Sequence, residues 1–298
     1  MSLIIGKFDN FIKSHTDRQI VAIPIAIFVI ALLIMGFTYS TSGTPVNLGM
    51  EFKGGTMISF QTDESTGELE SNYMDYPLVD IRKTGDRAVL QFGPMEKNLQ
   101  LEVEKDIISA YSSVEIQQVG AIYGEDLQLQ ALQALLLSLL GMSVVIFLVF
   151  RNFIPSLAVV ISSISDICIA AALMTLAGVE LSLGTVAALL MIIGYSVDSD
   201  VLLTTRMFKR RGSANEKISL AMHTGLTMTS TTLAAVVAMY MVSTYSYVLI
   251  PSLSQMTLLS DISIVLIFGL LADIINTWLL NTGIIRWYSK RNPKVVKS

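Results

Sequence analysis

A membrane bundle of six α-helices, carrying a small α+β domain between its first and second spans, is the fold class this sequence predicts, and three observations predict it. Of 298 residues 52% are hydrophobic and only 15% charged, a balance too apolar for a soluble globule of this length. Six apolar runs are each long enough to cross roughly 30 Å of hydrocarbon at about 1.5 Å per residue. Between the first two lies the only hydrophilic stretch large enough to fold by itself.

Residues 1–19 are polar with scattered Ile and Phe, and Lys7, Lys13 and Arg18 precede the first run, Ile20 to Tyr39. That run exceeds the apolar core of a signal peptide and no small-x-small cleavage site follows, so an uncleaved anchor is expected. From Ser40 to Gln128 the chain is hydrophilic. Thr56–Gln61, Pro77–Lys83, Ala88–Phe92 and Val114–Val119 read as strands, with turn chemistry at Lys83–Arg87. Pro94 to Ser112 reads as a helix with Leu99, Val103, Ile107 and Tyr111 on one face, and Thr62–Asn72 as a loop. The segment holds 15 carboxylates and 6 basic residues, a net charge of −9. The remaining runs are Leu129–Phe150, Phe153–Ala177, Leu181–Thr205, Leu226–Ile250 and Met256–Thr282, so residues 129–282 form spans two to six and 283–298 a basic tail.

Basic residues orient the chain. With the N-terminus in the cytoplasm, the inner segments hold 14 of the 20 Lys and Arg, and the other 6 all fall in the hydrophilic domain. Both termini are therefore expected in the cytoplasm of a multi-pass plasma-membrane protein, and the domain outside. The basic loop Lys209–Arg211 reads as topology signal, its other reading being a contact for anionic lipid or ribosomal RNA. No nucleic-acid partner is expected. The single cysteine, Cys168, excludes an intramolecular disulfide, and His15 and His223 lie in unrelated segments, so no metal site is expected.

Function points to the Asp residues inside the spans: Asp166, Asp198, Asp200, Asp261 and Asp273. An Asp at the centre of a spanning helix costs about 2.5–3.5 kcal/mol on insertion scales, and intramembrane ionisable groups mark ion pathways. Counted from the span ends, Asp198 and Asp273 share a depth, Asp166 lies about 9 Å above them, and Asp261 reaches the interface. At 3.6 residues per turn Asp198 and Asp200 stand about 200° apart on span four. Asp198 shares a face with Thr205 and lies within reach of a water-linked pairing with Arg206; Asp200 shares a face with Ser196 and Thr204. Span five opens with a hydroxyl-rich stretch, Thr229 to Thr232, at the depth of Asp200, so protons or small cations would find something to bind there. The bland alternative is that each Asp is protonated and serves as helix glue through a neighbouring Ser or Thr. Gly184 and Gly194 read as close-packing positions, and Gly54-Gly55 as a turn or bulge.

These residues carry a family resemblance. Gly49-Met50-Glu51-Phe52-Lys53-Gly54-Gly55-Thr56 resembles the G-[IM]-[DE]-F-x-G-G-T opening of SecD and SecF proteins. Val119 to Leu127, with Gly120 and Gly124, is similar to their entry into span two, although Ala121 replaces a Pro. Gly194-Tyr195-Ser196 through Arg206 resembles the SecF fourth-span motif. There the motif's Asn is Asp198, its Asp is Ser199, its Thr is Asp200 and its last Asp is Thr205, while Arg206 is kept; this Asp-x-Asp version looks like the archaeal branch. Thr229 to Thr232, with Thr231, matches the fifth span. Asp273 with Asn276 and Asn281 departs from the small, hydroxyl-rich pattern of bacterial sixth spans.

The resemblance implies half of a resistance-nodulation-division type bundle. It would pair with a SecD-like six-span protein and assist the SecY and SecE translocon in exporting polypeptides, drawing on a gradient of H+ or Na+, with no other cofactor. Asp198, Asp200, Arg206, Asp273, Asp166 and Thr231 are then the ion-coupling candidates, and no catalytic residue is expected. Two competing functions are an ion-coupled exporter of lipids or small molecules and an intramembrane aspartyl protease using Asp166 and Asp198. The latter lacks its signature motifs and is opposed by the 9 Å offset, and a scaffold of the translocon is the third competitor.

Overall fold

The computed structural model describes residues 2–209, 212–249 and 256–291. Arg210, Arg211, Ile250 and the last seven residues of the basic tail lie outside the described residues. The element order is α1 (Ser2–Ser14), α2 (Asp17–Ser42), α3 (Met50–Lys53), β1 (Gly55–Gln61), α4 (Thr66–Asn72), β2 (Leu78–Thr84), β3 (Arg87–Phe92), α5 (Lys97–Ala110) and β4 (Ser112–Val119). Then come α6 (Ala121–Phe150), α7 (Phe153–Leu176), α8 (Leu183–Lys209), α9 (Ala214–Leu249), α10 (Thr257–Ile275), a π-helical segment (Asn276–Asn281) and α11 (Thr282–Arg291). Among the described residues six helices are long and apolar enough to span a membrane, and the chain is a multi-pass membrane protein.

The inserted domain is a four-stranded antiparallel sheet in the order β2-β3-β1-β4. Alternation puts Ile58 and Phe60 of β1 and Ala88, Leu90 and Phe92 of β3 on one face, where they close over Leu69 of α4 and Val103 and Ile107 of α5. Two helices therefore cover the sheet, where sequence had placed one helix and a loop over Thr62–Asn72. The missed helix carries its own start signal: Ser65 and Glu68 form a reciprocal capping box, Ser65 N donating to Glu68 Oε2 at 2.7 Å and Glu68 N to Ser65 Oγ at 3.4 Å. Residues 2–14, part of the segment read as polar from sequence, form an amphipathic helix whose Ile12 is buried in a cluster with Met207, Ile218, Met222 and Ile285.

In the bundle, α10 packs against α7, α8 and α9, while α2 packs on α7 and on the π-helical segment. α7 and α8 are the most enclosed spans and α6 the least, with Leu136, Leu137, Leu140 and Leu148 of α6 exposed. Close approach is built from glycine: a Cβ on Gly184 would lie 2.7 Å from Leu258 Cδ1, and one on Gly269 only 2.2 Å from Ile192 Cδ1. Gly194, expected to be a packing position too, faces open space with nothing within 4 Å.

Candidate functional site: a buried carboxylate network

The sixth apolar run does not continue as a regular α-helix. At Asn276 it widens into one π-helical turn, and all six residues of that turn are buried. A π turn adds a residue to the helical repeat and redirects the side chains that follow it, and such turns cluster at functional sites. Here it brings Asn276, Thr277 and Asn281 to one side, toward α7 and α8.

Three carboxylates meet those residues: Asp166 of α7 (0% exposed), Asp200 of α8 (0%) and Asp273 of α10 (1%). Asp166 accepts from Ser196 Oγ at 2.6 Å on one oxygen and from Asn276 Nδ2 at 2.7 Å on the other. Asp273 accepts from Ser199 Oγ at 3.1 Å. Asp200 Oδ1 accepts from Asn281 Nδ2 at 2.7 Å and contacts Thr277 Oγ1 at 2.8 Å, while the same hydroxyl lies 2.9 Å from Asp273 Oδ1. A hydroxyl has one hydrogen and two acceptor sites. Thr277 thus has one hydrogen for two carboxyls, and a proton on the Asp200–Asp273 pair would let it donate to one and accept from the other. Among the described residues no basic side chain pairs with any of the three.

Asp198 lies apart from this network, as the helical spacing required. It is exposed on the opposite face of α8 and lines a cavity of about 110 Å³ with Tyr195, Ser199, Met228, Thr229, Thr232 and Asp273. Asp273 therefore belongs to both the buried network and the cavity wall. The hydroxyls of span five that reach this cavity are Thr229 and Thr232; Thr231 is exposed and donates to the Met228 carbonyl at 2.7 Å. Arg206 does not pair with Asp198 either: its Nη1 donates at 2.7 Å to the Leu220 carbonyl of α9, which also accepts from Thr224 Oγ1 at 3.2 Å. Asp166 is level with Ser196 and Asn276 rather than about 9 Å above Asp198; run ends are not level among tilted helices. Asp166 and Asp198 still do not converge, because Ser196 turns one way from α8 and Asp198 the other. Asn276, Thr277 and Asn281 as ligating side chains were missed, although three amide and hydroxyl residues within six positions of an apolar run were the visible signal.

The Gly49–Thr56 motif forms the joint between domain and bundle. Leu48 pairs in parallel with Leu181 in the α7–α8 loop, Gly49 N donating to Leu181 O at 2.8 Å and Leu181 N to Asn47 O at 2.7 Å. Glu51 Oε2 accepts from Leu183 N at 2.5 Å, an anion at the N-terminus of the helix that carries Asp198 and Asp200. Gly54 and Gly55 take φ of +77° and +136°, and a Cβ on Gly55 would sit 2.3 Å from the Phe92 carbonyl. Thr56 is buried and follows them into β1, pairing with Phe92. Gly124 lets α6 touch the same joint: its Cβ would be 2.7 Å from the Phe52 carbonyl, which Gln128 Nε2 holds at 2.7 Å. Gly120 caps α6 with open space around it. Beside the same joint, Arg82 of β2 pairs with Asp80 at 2.6 Å and reaches Glu180 at 3.7 Å. Burial raises the Glu180 carboxyl above its ordinary value, against the opposing charges of Arg82 and Lys53.

Comparison with known proteins agrees with this architecture. Residues 100–291 match the protein-export membrane protein SecD/SecF C-terminal family, and residues 39–66 match the SecD/SecF GG motif. SecF of Methanolacinia petrolearia is 44% identical over 97% of this chain and 100% of that protein. The chain belongs to the SecF family of protein-export membrane proteins. SecF of Haloferax volcanii is 41% identical over 92% of this chain, and SecF of Methanothermobacter thermautotrophicus 38% over 96%. Among solved structures the fold matches SecDF of Thermus thermophilus, a translocon-associated membrane protein, with a TM-score of 0.75 at 19% identity. That match covers 95% of this chain and 39% of the larger one, so a SecF-family chain corresponds to one part of the SecDF fold.

Proposed function

We propose that this chain assists Sec-dependent protein export as one half of a two-chain assembly with a SecD-like six-span protein beside the SecY and SecE translocon, and that the transmembrane ion gradient drives it through the buried carboxylates. Family membership supports the export role, a membrane component rather than an enzyme. The observation that carries the coupling is the Thr277 hydroxyl held between Asp200 and Asp273. One proton on that pair would be shared by two carboxyls far from any basic side chain, a pair that responds as a unit when a proton or a small cation arrives. Asp198, on the cavity side, is the entry group; Asp273 links cavity to network; Asp166 ties α7 to the π turn. Movement of α8 is passed to the domain through Glu51 and the Leu48–Leu181 pairing, and the distribution of positive residues supports a domain outside the cytoplasm, where an emerging polypeptide passes.

The test is export into proteoliposomes containing the chain, its six-span partner and the translocon, with and without an imposed gradient. Asp273→Asn, which keeps size and most hydrogen bonds, is expected to abolish gradient-dependent stimulation while co-purification with the partner persists. Stimulation equal to wild type would remove the network from the mechanism. Recovery of the chain without a six-span partner, and with bound lipid, would favour the lipid or small-molecule exporter.

A further inference from the structure

The carboxylate network is closed off at one end. Leu203 and Met207 follow Asp200 along α8, and Trp278 follows Thr277 in the π turn. With Met222 of α9, Ile20 of α2 and Ile12 of α1 they belong to one buried apolar cluster. That cluster lies between the carboxylates and the end of the bundle that carries α1 and α11, whereas on the other side Asp273 borders the cavity with Asp198. A proton that enters past Asp198 therefore meets an apolar seal before it can leave toward the termini.

The members of the seal are unequal. α2, α8, α9 and the sixth span cross the bilayer and are held by their length; α1 is an amphipathic helix of 13 residues and crosses nothing. It contributes one wholly buried side chain, Ile12, with Phe8 and Phe11 half-buried against the same cluster. The apolar area returned to water sets the cost of a displacement, so α1 is the member that moves most easily.

Its ties are polar and few. Arg286 of α11 donates from Nη1 to the Ile12 carbonyl and from Nη2 to the His15 carbonyl, both at 2.9 Å, and its Nε pairs with Asp17. The Ile12 carbonyl is one of those that the last turn of α1 leaves without a partner in its own helix. On the other flank the Ser219 hydroxyl of α9 donates to Asp9 at 3.2 Å. Arg286 lies on the helix that continues the π turn, and this helix sits so close to α2 that a Cβ on Gly283 would be 2.4 Å from Val21 Cγ2. A shift of the π turn is passed directly to the side chain that holds α1.

We propose that α1 is a lid over the carboxylate network, latched by Arg286 and released when the π turn moves, and that its release opens the network to the membrane face that carries the termini. The ion-coupling reading supplies what passes through the opening. The lid itself is tested without it.

Vesicles holding the chain and its six-span partner, with the terminal face outward, report the lid through one cysteine. In a Cys168→Ser background, Met207→Cys places a thiol inside the seal, and its reaction with a charged, membrane-impermeant methanethiosulfonate is timed. Slow labelling is expected in the parent. Arg286→Gln should speed it about tenfold, the factor that corresponds to about 1.4 kcal/mol. Ser219→Ala, which removes a half-buried hydroxyl and should fold as the parent does, should give a smaller rise. The thiol of Asp198→Cys, on the cavity side, should react at an unchanged rate in Arg286→Gln. In a second experiment, Asp9→Cys and Ser219→Cys bridged by a short bifunctional thiol reagent should hold the lid shut and abolish gradient-stimulated export until the bridge is reduced. Labelling of Met207→Cys that ignores both Arg286→Gln and Ser219→Ala, or an equal rise at Asp198→Cys, would overturn the lid. Undiminished gradient-stimulated export with the bridge in place would overturn it while leaving ion coupling intact. Latch-dependent labelling in a complex whose export ignores the gradient would keep the lid and remove the coupling.

Discussion

The inserted domain and the bundle solve the same problem in opposite senses. In the domain, Phe60, Leu90, Phe92 and Ile107 are hidden and the 15 carboxylates counted between residues 40 and 128 mostly face outward. In the bundle, Leu137, Leu140 and Leu148 face outward, while Asp166, Asp200 and Asp273 are sealed inside. The difference teaches where selection for stability stops explaining the sequence. In hydrocarbon an outward leucine is at home, so nothing in packing calls for three interior carboxylates, which is the ground for proposing them as the coupling site. In the domain burial is apolar except for Thr56 at the joint and Gln91 of β3.

The largest test of that contrast is side-chain truncation. Phe60→Ala removes a ring that is 0% exposed and stacks on Tyr111 with centroids 4.2 Å apart, and should destabilise the domain by about 3–5 kcal/mol. Leu137→Ala on α6, at 68% exposure, should leave the thermal unfolding of the isolated chain within about 0.5 kcal/mol of the parent. Thermal unfolding of both variants in detergent, followed by domain-specific proteolysis, separates the cases. A large loss at Leu137 would mean that α6 is covered in the isolated chain.

A smaller effect probes polar satisfaction inside the bundle. Asn276→Leu strips Asp166 of the donor at 2.7 Å and leaves a buried carboxyl oxygen bare, a cost of about 1–3 kcal/mol. The isosteric Asn276→Asp exchanges the donor for a protonatable one, so its stability should fall as pH rises, which Asn276→Leu should not show. An Asn276→Leu variant as stable as the parent would mean Asp166 has another partner.

Much of this was legible in the residues. Six apolar runs and the period-2 strands located the spans and the sheet, since both rest on local pattern and on the length of a bilayer crossing. Facing was legible too: the 200° between Asp198 and Asp200 separates cavity from network in the structure. What was not legible depended on tertiary placement. The π turn has no periodicity signature, and without it Asn276, Thr277 and Asn281 cannot be assigned to one face. Depth counted along separate runs misplaced Asp166, since tilt is set by neighbours. Arg206 was paired with Asp198 by proximity along one helix, whereas the carbonyl of Leu220 comes from another. In the domain, the Ser65–Glu68 capping box was readable and passed over because the stretch around it is polar on every side.

The smallest expected effect lies at the joint where the two regions meet. Glu180 is held above its ordinary carboxyl value by burial, with Arg82 and Lys53 opposing. A carboxyl raised in the fold is more protonated there than in the unfolded chain, so stability falls as pH climbs from about 4.5 through the raised value. Glu180→Gln removes that penalty together with the 3.7 Å contact to Arg82, itself half exposed and worth little. The variant and the parent should therefore unfold alike below pH 4, with the variant gaining a modest advantage as pH rises toward 7. Differential scanning of the pair across that range reads the sign directly. A parent that is the more stable at pH 7 would show the Arg82 contact outweighing burial, and would make that ion pair, rather than the Leu48–Leu181 backbone pairing, the stronger tie between domain and bundle.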